Sequence, residues 1–138
     1  MLISDKENLK ETCKWLCICD LDEFFFGTEQ QLSKEIETFD KYDIIYTNSF
    51  FYGSDNLINQ PDDIRTAIVH RESDIENGIK YIFKPSSINN SSEIWIHWLV
   101  EPGTLQKKQG QNEITNNTKI RLNHYRIQSL EYFQEVKM

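Results

Sequence analysis

The stretch Trp15-Leu16-Cys17-Ile18-Cys19-Asp20-Leu21-Asp22-Glu23-Phe24 changes from apolar to acidic between one residue and the next. Its first five residues predict a short buried strand. Side chains alternate along a strand, so Asp20 and Asp22 are expected to project from the same side of its end. Two neighbouring carboxylates repel each other unless a positive charge lies between them, and a divalent cation with oxygen ligands is a common solution. A solvated acidic turn is the alternative, but the phenylalanines at 24–26 suit an exposed turn poorly and favour a cation site.

Composition limits the class of protein. The chain has 138 residues, 38% of them apolar, and a net charge of -7, which predicts one globular domain over residues 1–138. The acidic excess argues against a nucleic-acid backbone as the main partner, because phosphate binding needs a basic face. No apolar stretch is long enough to cross a bilayer, and the N-terminus lacks the basic-then-apolar pattern of a signal peptide. We therefore expect a cytoplasmic protein with no membrane segment in this chain.

Three cysteines, Cys13, Cys17 and Cys19, fall within seven residues. Zinc sites usually take four ligands and often pair their cysteines at CxxC spacing, which this cluster does not have. Cysteine is also among the residues most often buried as a free thiol. Buried free thiols in a reducing compartment are therefore the expectation.

Apolar periodicity switches between the helical and the strand pattern along the chain, which predicts an α/β fold with helices packed on a sheet. Capping patterns predict four helix starts, at Ser4, Thr28, Asp62 and Ser129. Short apolar runs predict the strands, at residues 15–19, 42–48, 80–85, 93–99 and 119–126. Residues 103–118 are polar, contain two glycines and show no period, so we expect a mobile loop there.

Four segments together cover nearly the whole chain and occur in the order in which one known family carries them. They are Trp15 with the strand into Asp20-Leu21-Asp22-Glu23-Phe24, then Phe51-Tyr52-Gly53-Ser54, then Lys80-Tyr81-Ile82-Phe83-Lys84-Pro85 followed by His97, and finally Asn123-His124-Tyr125-Arg126 followed by Ser129 and Leu130-Glu131-Tyr132-Phe133. With these segments the chain resembles the C-terminal portion of a GT-A type glycosyltransferase, closest to family 92 and the related family-2-like group. The resemblance implies a partial GT-A-like sheet with helices packed on it.

The resemblance also implies a reaction, the transfer of a sugar from a nucleotide-sugar donor to a glycan or protein acceptor. Mn²⁺ or Mg²⁺ would stabilise the departing diphosphate as a Lewis acid. Asp20 would face the donor ribose or the metal, and Asp22 would bind the metal directly. Such sites often add a histidine from late in the chain, and either His97 or His124 could serve. Substrate contacts are expected from Gly53, Ser54, Lys84, Tyr125 and Arg126.

Membership of family 92 would imply inversion at the transferred sugar, and inversion needs a carboxylate base on the acceptor side. Asp55, Glu72 and Glu101 all remain open for that role. His70, beside Arg71 on a predicted helix, is expected to have only a structural role.

One departure from the family pattern concerns the region before the acidic strand. In the GT-A fold, strands and helices that precede this strand hold the nucleotide base, whereas only fourteen residues precede Trp15 here. We therefore expect the metal-binding and acceptor half without the nucleotide-binding half, which a second chain could supply. A non-catalytic binding fragment of a split enzyme is the alternative interpretation.

A strand that ends in Asp-x-Asp is also found near the start of phosphatases of the haloacid dehalogenase type. In these enzymes the first aspartate is the nucleophile and the second is a general acid. Those enzymes place Thr or Val two residues after the second aspartate, where this chain has Phe24. They also need an acidic pair at the end of a later apolar strand, whereas Asp62-Asp63 follows Asn59-Gln60-Pro61. The glycosyltransferase interpretation is therefore preferred.

Overall fold

The computed structural model describes residues 10–75 and 78–138, and these form a mixed α/β structure, as predicted. The described strands are β1 (Leu16–Ile18), β2 (Glu23–Gly27), β3 (Ile44–Phe51), β4 (Ile79–Phe83), β5 (Glu113–Thr115) and β6 (Ile120–His124). The described helices are α1 (Leu32–Glu37), α2 (Ile64–Ala67) and α3 (Leu130–Tyr132), the last continued by a π-helical turn (Phe133–Lys137), with 3-10 turns at Pro85–Ser87 and Ser91–Glu93. The predicted helix start at Ser4 lies outside the described residues.

The strands form one sheet in the order β1-β4-β3-β6-β2, with β3 at its centre. On one side β3 pairs antiparallel with β4. On the other side its first half pairs parallel with β5 and its second half pairs parallel with β6. The strand β5 lies within residues 103–118, where the sequence predicts only a loop.

The sheet curls because its two outermost strands are joined by a short connection. Only four residues, 19–22, link β1 to β2, and the Glu23 N–H donates to the Asp20 carbonyl at 3.1 Å, which closes a turn. A turn brings its ends within about 7 Å and the two preceding steps add about 7 Å, so the connection spans about 14 Å. In a flat sheet four strand spacings would separate β1 from β2 by about 19 Å. Curling removes this difference and brings the two outermost strands together.

Apolar side chains pack on both faces of the sheet. One face carries the buried cluster of Ile44, Tyr46, Tyr81, Phe83, Ile88 and Leu99. The other carries Phe39, Ile45, Ile82 and Ile120, against which the partly buried Leu32 and Ile36 of α1 pack. The second face becomes polar toward the end of β3. Strand pairing and alternation place Ser49 and Phe51 there beside Lys80, His124 and Glu23.

Two of the predicted helix caps shift by a few residues. The helix α1 begins at Leu32 with Gln31 as its cap residue, because the Thr28 hydroxyl donates instead to the Thr118 carbonyl at 2.7 Å. The helix α2 is capped by Asp63, not Asp62, and the Asp63 side chain accepts from a backbone N–H inside the first turn. The predicted cap at Ser129 is confirmed, since its hydroxyl accepts from the Tyr132 N–H at 3.0 Å.

The predicted strand at residues 93–99 is wrong. Residues Ser91–Glu93 form a 3-10 turn, and the run that follows folds back on itself, with one bridge between Ile94 and Leu99. The Glu93 side chain causes this fold, because it is fully buried and accepts from the backbone N–H groups of Asn89 and Asn90 while pairing with Lys108. His97 therefore lies on a loop, not on a strand.

The expectation that the cysteines are buried is also wrong. Cys17 and Cys19 are exposed free thiols and Cys13 is half-buried. The strand β1 is an edge strand of three residues, and Leu16 and Ile18 take the side that packs into the core. Alternation then turns Cys17 to the opposite side, where the described residues leave it exposed.

Replacing the buried anchor of the His97 loop, in the change Glu93→Gln, should destabilise the protein by about 2 kcal/mol at neutral pH, because charged hydrogen bonds to Lys108 and two amides are lost. Burial alone would raise the pKa of the Glu93 carboxyl, but hydrogen bonds from Lys108 and from the Asn90 and Asn89 amides outweigh it and hold the pKa below 4.5. The charged carboxylate therefore stabilises the fold above pH 4.5, and this contribution is lost as the pH falls through the lowered pKa. Urea unfolding of the wild type and of Glu93→Gln at several pH values gives the free energy of unfolding of each protein as a function of pH. The wild-type curve should fall toward the mutant curve on acidification, and parallel curves would contradict the assignment.

Candidate functional site

The acidic motif forms a turn, not the end of a strand. The Asp20 carbonyl accepts from the Glu23 N–H, and the Asp20 N–H donates to Glu23 Oε2 at 2.8 Å. Asp22 and Glu23 are 6% and 7% exposed, whereas the Asp20 side chain is 60% exposed. The expectation that Asp20 and Asp22 project from the same side is therefore wrong, since strand alternation stops where the turn begins. Glu23 is buried, as Asp22 is, although the sequence did not predict it as part of the site.

Lys80 is the principal cation of this cluster. It lies on β4 with 2% of its side chain exposed, and its Nζ lies 3.1 Å from Asp20 Oδ2 and 3.3 Å from Glu23 Oε2. A buried lysine is rare unless it is paired, because burial removes the hydration of the ammonium. Neither Lys80 nor Glu23 is among the site residues that the sequence predicts. The available signal was a lysine within the apolar run Ile79-Lys80-Tyr81-Ile82-Phe83.

Asp22 lies on the other side of the turn, beside His124. His124 Nε2 is 3.5 Å from Asp22 Oδ1, and His124 Nδ1 is 3.9 Å from Glu23 Oε1. Lys137 Nζ lies 3.1 Å from Asp22 Oδ2, and the Tyr125 N–H donates to the Asp22 carbonyl at 2.8 Å. The last residue of β6 and the C-terminal turn thus hold Asp22 in place, and His124 contacts the acidic cluster directly.

An open pocket of about 500 Å³ lies over this end of the sheet. The pocket brings together predicted metal ligands, a candidate base and a substrate contact, namely Asp20, His97, His124, Glu72 and Arg126. Glu23 also lines it, whereas Asp22 does not. Lys80 contributes to its floor. Both candidate histidines therefore face one space, together with one of the three candidate bases.

His97 reaches the pocket from the loop between Ile94 and Leu99. Its Nδ1 lies 2.9 Å from the Ile79 carbonyl, and a carbonyl can only accept, so Nδ1 donates. In the neutral ring Nε2 then carries the lone pair, and Trp95 packs against the ring at a centroid distance of 5.2 Å. The hydrogen bond fixes the ring, so His97 presents one defined nitrogen as an acceptor.

Four of the five predicted substrate contacts do not line this pocket, namely Gly53, Ser54, Lys84 and Tyr125. Gly53 and Ser54 each line another space. Lys84 pairs with Asp40 and Asp43 at the far end of β4, where it holds the start of β3. Tyr125 is 2% exposed and stacks on Tyr52 at a centroid distance of 4.6 Å, so it supports the site from within the protein. Neither residue lines the pocket.

The three candidate bases separate clearly in space. Asp55 is held in a loop, where hydrogen bonds from the Val69 N–H and from His70 lower the pKa of its carboxyl despite some burial. His70 thus has a local partner in Asp55, but it is 85% exposed and lies beyond the end of α2, not on the helix that the sequence predicts. Glu101 accepts from the Gln109 N–H in the loop that follows Val100. Of the three, Glu72 alone lines the pocket.

The model of glycosyltransferase family 92 matches residues 8–137. The chain belongs to this family. The match agrees with the resemblance inferred from its motifs, and it favours the glycosyltransferase interpretation over the phosphatase one. No curated protein sequence matches the chain.

This family 92 chain was expected to bind Mn²⁺ or Mg²⁺ through Asp20 and Asp22, and in the present arrangement these carboxylates lie beside lysine side chains. The carboxylate and imidazole groups are suitable ligands, yet within residues 10–75 and 78–138 no three of the His, Cys, Asp and Glu side chains are arranged to hold one. Lysine ammoniums lie at the positions nearest the carboxylates, with Lys80 at Asp20 and Glu23 and Lys137 at Asp22. In this arrangement the protein's own cations lie beside the carboxylates of the acidic cluster.

No helix in the described part of this family 92 chain is both long and apolar enough to cross a membrane.

Removing the buried cation tests this account of the cluster. Lys80→Met keeps the length of the side chain but leaves the carboxylate of Glu23 buried without its nearest cation, and breaking such a pair costs about 3 kcal/mol. Lys137→Met is the comparison variant, because Lys137 is 34% exposed and its partner Asp22 keeps a second neighbour in His124, so this variant should lose less stability. Urea unfolding of both variants measures the difference. Equal stability of Lys80→Met and the wild type would contradict the role given to Lys80.

Proposed function

We propose that this family 92 domain transfers a sugar from a nucleotide-sugar donor to an acceptor, and that the donor diphosphate and sugar occupy the 500 Å³ pocket. The observation that carries the proposal is the convergence of acidic, basic and imidazole side chains in a single pocket of a chain that belongs to a glycosyltransferase family. A pocket of this size with a few convergent polar groups is typical of a small-molecule site.

The cations of the pocket suit a diphosphate. Arg126 lies two residues beyond the end of β6, and its guanidinium lies 5.9 Å from the centroid of the Phe51 ring, which holds it beside the pocket. Arginine binds phosphate oxygens with two parallel hydrogen bonds, and such bonds strengthen as the leaving group gains charge. We propose that Arg126 binds the diphosphate, with Lys80 next to it, while the exposed carboxylate of Asp20 accepts from the donor ribose.

Glu72 is proposed as the base. In an inverting reaction the acceptor hydroxyl oxygen forms a bond to the anomeric carbon as the bond from that carbon to the diphosphate oxygen breaks. The hydroxyl proton passes to the carboxylate, and the bond electrons leave with the diphosphate. Glu72 lines both this pocket and the groove next to it, so its carboxylate lies where donor and acceptor would meet.

Any Mn²⁺ or Mg²⁺ requirement is a separate proposal. Asp22 and His124 are the residues proposed to hold the ion, since they lie 3.5 Å apart and supply the oxygen and nitrogen ligands it needs. Lys137 would first have to leave Asp22, which its partial exposure near the end of the chain allows. When bound, the ion would add positive charge beside the diphosphate.

The change Glu72→Gln should reduce sugar transfer by about 10² to 10⁴-fold, because the amide cannot take the proton. Binding of the nucleotide sugar, measured by calorimetry, should remain, since Gln keeps the size of the side chain. Asp55→Asn and Glu101→Gln are the matched controls and should transfer sugar at close to the wild-type rate. A wild-type rate in Glu72→Gln, or a comparable loss in either control, would exclude Glu72 as the base.

The metal proposal is tested by melting temperature. Mn²⁺ should raise the melting temperature of the wild type, because a ligand that binds only the folded state stabilises it. Lys137→Met should increase that response by removing a competing ammonium, whereas Asp22→Asn should abolish it. Asp20→Asn should retain it, since Asp20 faces Lys80 instead. A response that survives in Asp22→Asn would refute this placement of the ion.

A further inference from the structure

Two thiols lie side by side on the edge strand β1. Cys17 is the middle residue of that strand, and Cys19 comes directly after its last residue. Both are free and exposed, and neither lines the proposed donor pocket. Residues at i and i+2 along a strand project from the same side, so both sulfurs lie on the side opposite to Leu16 and Ile18. The edge of the sheet therefore presents a pair of accessible thiols.

The two thiols are joined by a hydrogen bond. Burial raises the pKa of both thiols, and the hydrogen bond between them raises the pKa of Cys19 further while it opposes the rise at Cys17. A hydrogen bond raises the pKa of the group that donates and lowers that of the group that accepts. The Cys19 S–H is therefore the donor and the Cys17 sulfur the acceptor, which places the two sulfurs in direct contact.

The backbone between the two cysteines allows a covalent bond between their sulfurs. Two residues of extended strand separate Cα atoms by about 6.6 Å, which lies within the range of about 4.4 to 6.8 Å found across disulfides. The pairing of β1 with β4 ends at Ile18, opposite Tyr81, and Cys19 lies beyond it. A small movement of Cys19 toward Cys17 therefore keeps the strand pairing intact.

A zinc ion fits this pair of thiols less well. Structural zinc takes four protein ligands. Among the residues that the structure describes, no three His, Cys, Asp and Glu side chains are arranged to hold a metal. The chemistry that two thiols can complete by themselves is thiol–disulfide exchange.

We propose that Cys17 and Cys19 form a dithiol site that reacts reversibly with low-molecular-weight disulfides. The thiolate of one cysteine attacks the small disulfide, bonds to one of its sulfurs and releases the other half as a thiolate. The second cysteine then attacks the sulfur of the first, which forms the Cys17–Cys19 bond and releases the remaining half. The two cysteine protons pass to the two released thiolates, so the cysteines are oxidised and the small disulfide is reduced. This site is independent of the proposed sugar transfer.

Oxidised glutathione is the probe. The full chain is incubated with it at mildly alkaline pH, which supplies the thiolate, and is then alkylated and digested with trypsin. Cleavage after Lys14 and after Lys34 leaves Cys17 and Cys19 on one peptide and Cys13 on another. The peptide with both cysteines should lose the mass of two hydrogen atoms, and dithiothreitol should restore it.

Two variants separate this bond from other reactions of the three cysteines. Cys13→Ser is the matched control and should lose the two hydrogen atoms as the wild type does. Cys17→Ser replaces an exposed side chain, so the fold should be kept, and its Cys19 should carry one glutathione instead. The proposal would be overturned if the wild-type peptide stays unmodified or carries glutathione on both cysteines. A disulfide from Cys13 to this peptide, in place of the Cys17–Cys19 bond, would overturn it as well.

Discussion

The ammonium of Lys80 lies between the carboxylates of Asp20 and Glu23, 3.1 and 3.3 Å away, with 2% of the side chain exposed. This buried contact joins β4, on one side of the central strand, to the first residue of β2, at the opposite end of the strand order. It forms because the four-residue connection between β1 and β2 is too short for a flat sheet. The curl and the ion pair therefore depend on each other, since the curl brings the charges together and the pair holds the curl closed.

The same constraint gives each carboxylate of the acidic turn a nearby partner. Asp22 contacts Lys137 and His124, while Asp20 and Glu23 share Lys80, so each carboxylate already has a cationic or imidazole neighbour. An incoming diphosphate would therefore have to take cations that already pair with the protein's own carboxylates, and would not bind to an unpaired positive charge. Binding of this kind would depend on the geometry of the pocket more than on net charge, which suits the proposed binding of an anionic donor by an acidic chain.

Sequence patterns predicted what short-range packing decides. The apolar runs at 15–19 and 42–48 form strands because alternation and β-branched residues act locally.

The sequence patterns failed where contacts between distant parts of the chain decide the structure. Lysine on a strand normally points to solvent, and only the curl buries Lys80. The side chains of Asp20 and Asp22 diverge because their turn closes that curl. The strand β5 is three residues long and depends on β3 for its pairing, so no local pattern predicts it. The joint position of His97 and His124 in one pocket likewise follows from the fold.

The central claim is that the end of the sheet around the acidic turn holds the donor diphosphate. Backbone amide NMR signals, followed during titration with UDP, GDP and pyrophosphate, test it most directly. The account predicts that all three ligands shift the same set of amides, those of Asp22, Glu23, Lys80, His124 and Arg126. Shifts confined to the region of α2, or no saturable shifts at the acidic turn with any of the three, would contradict it.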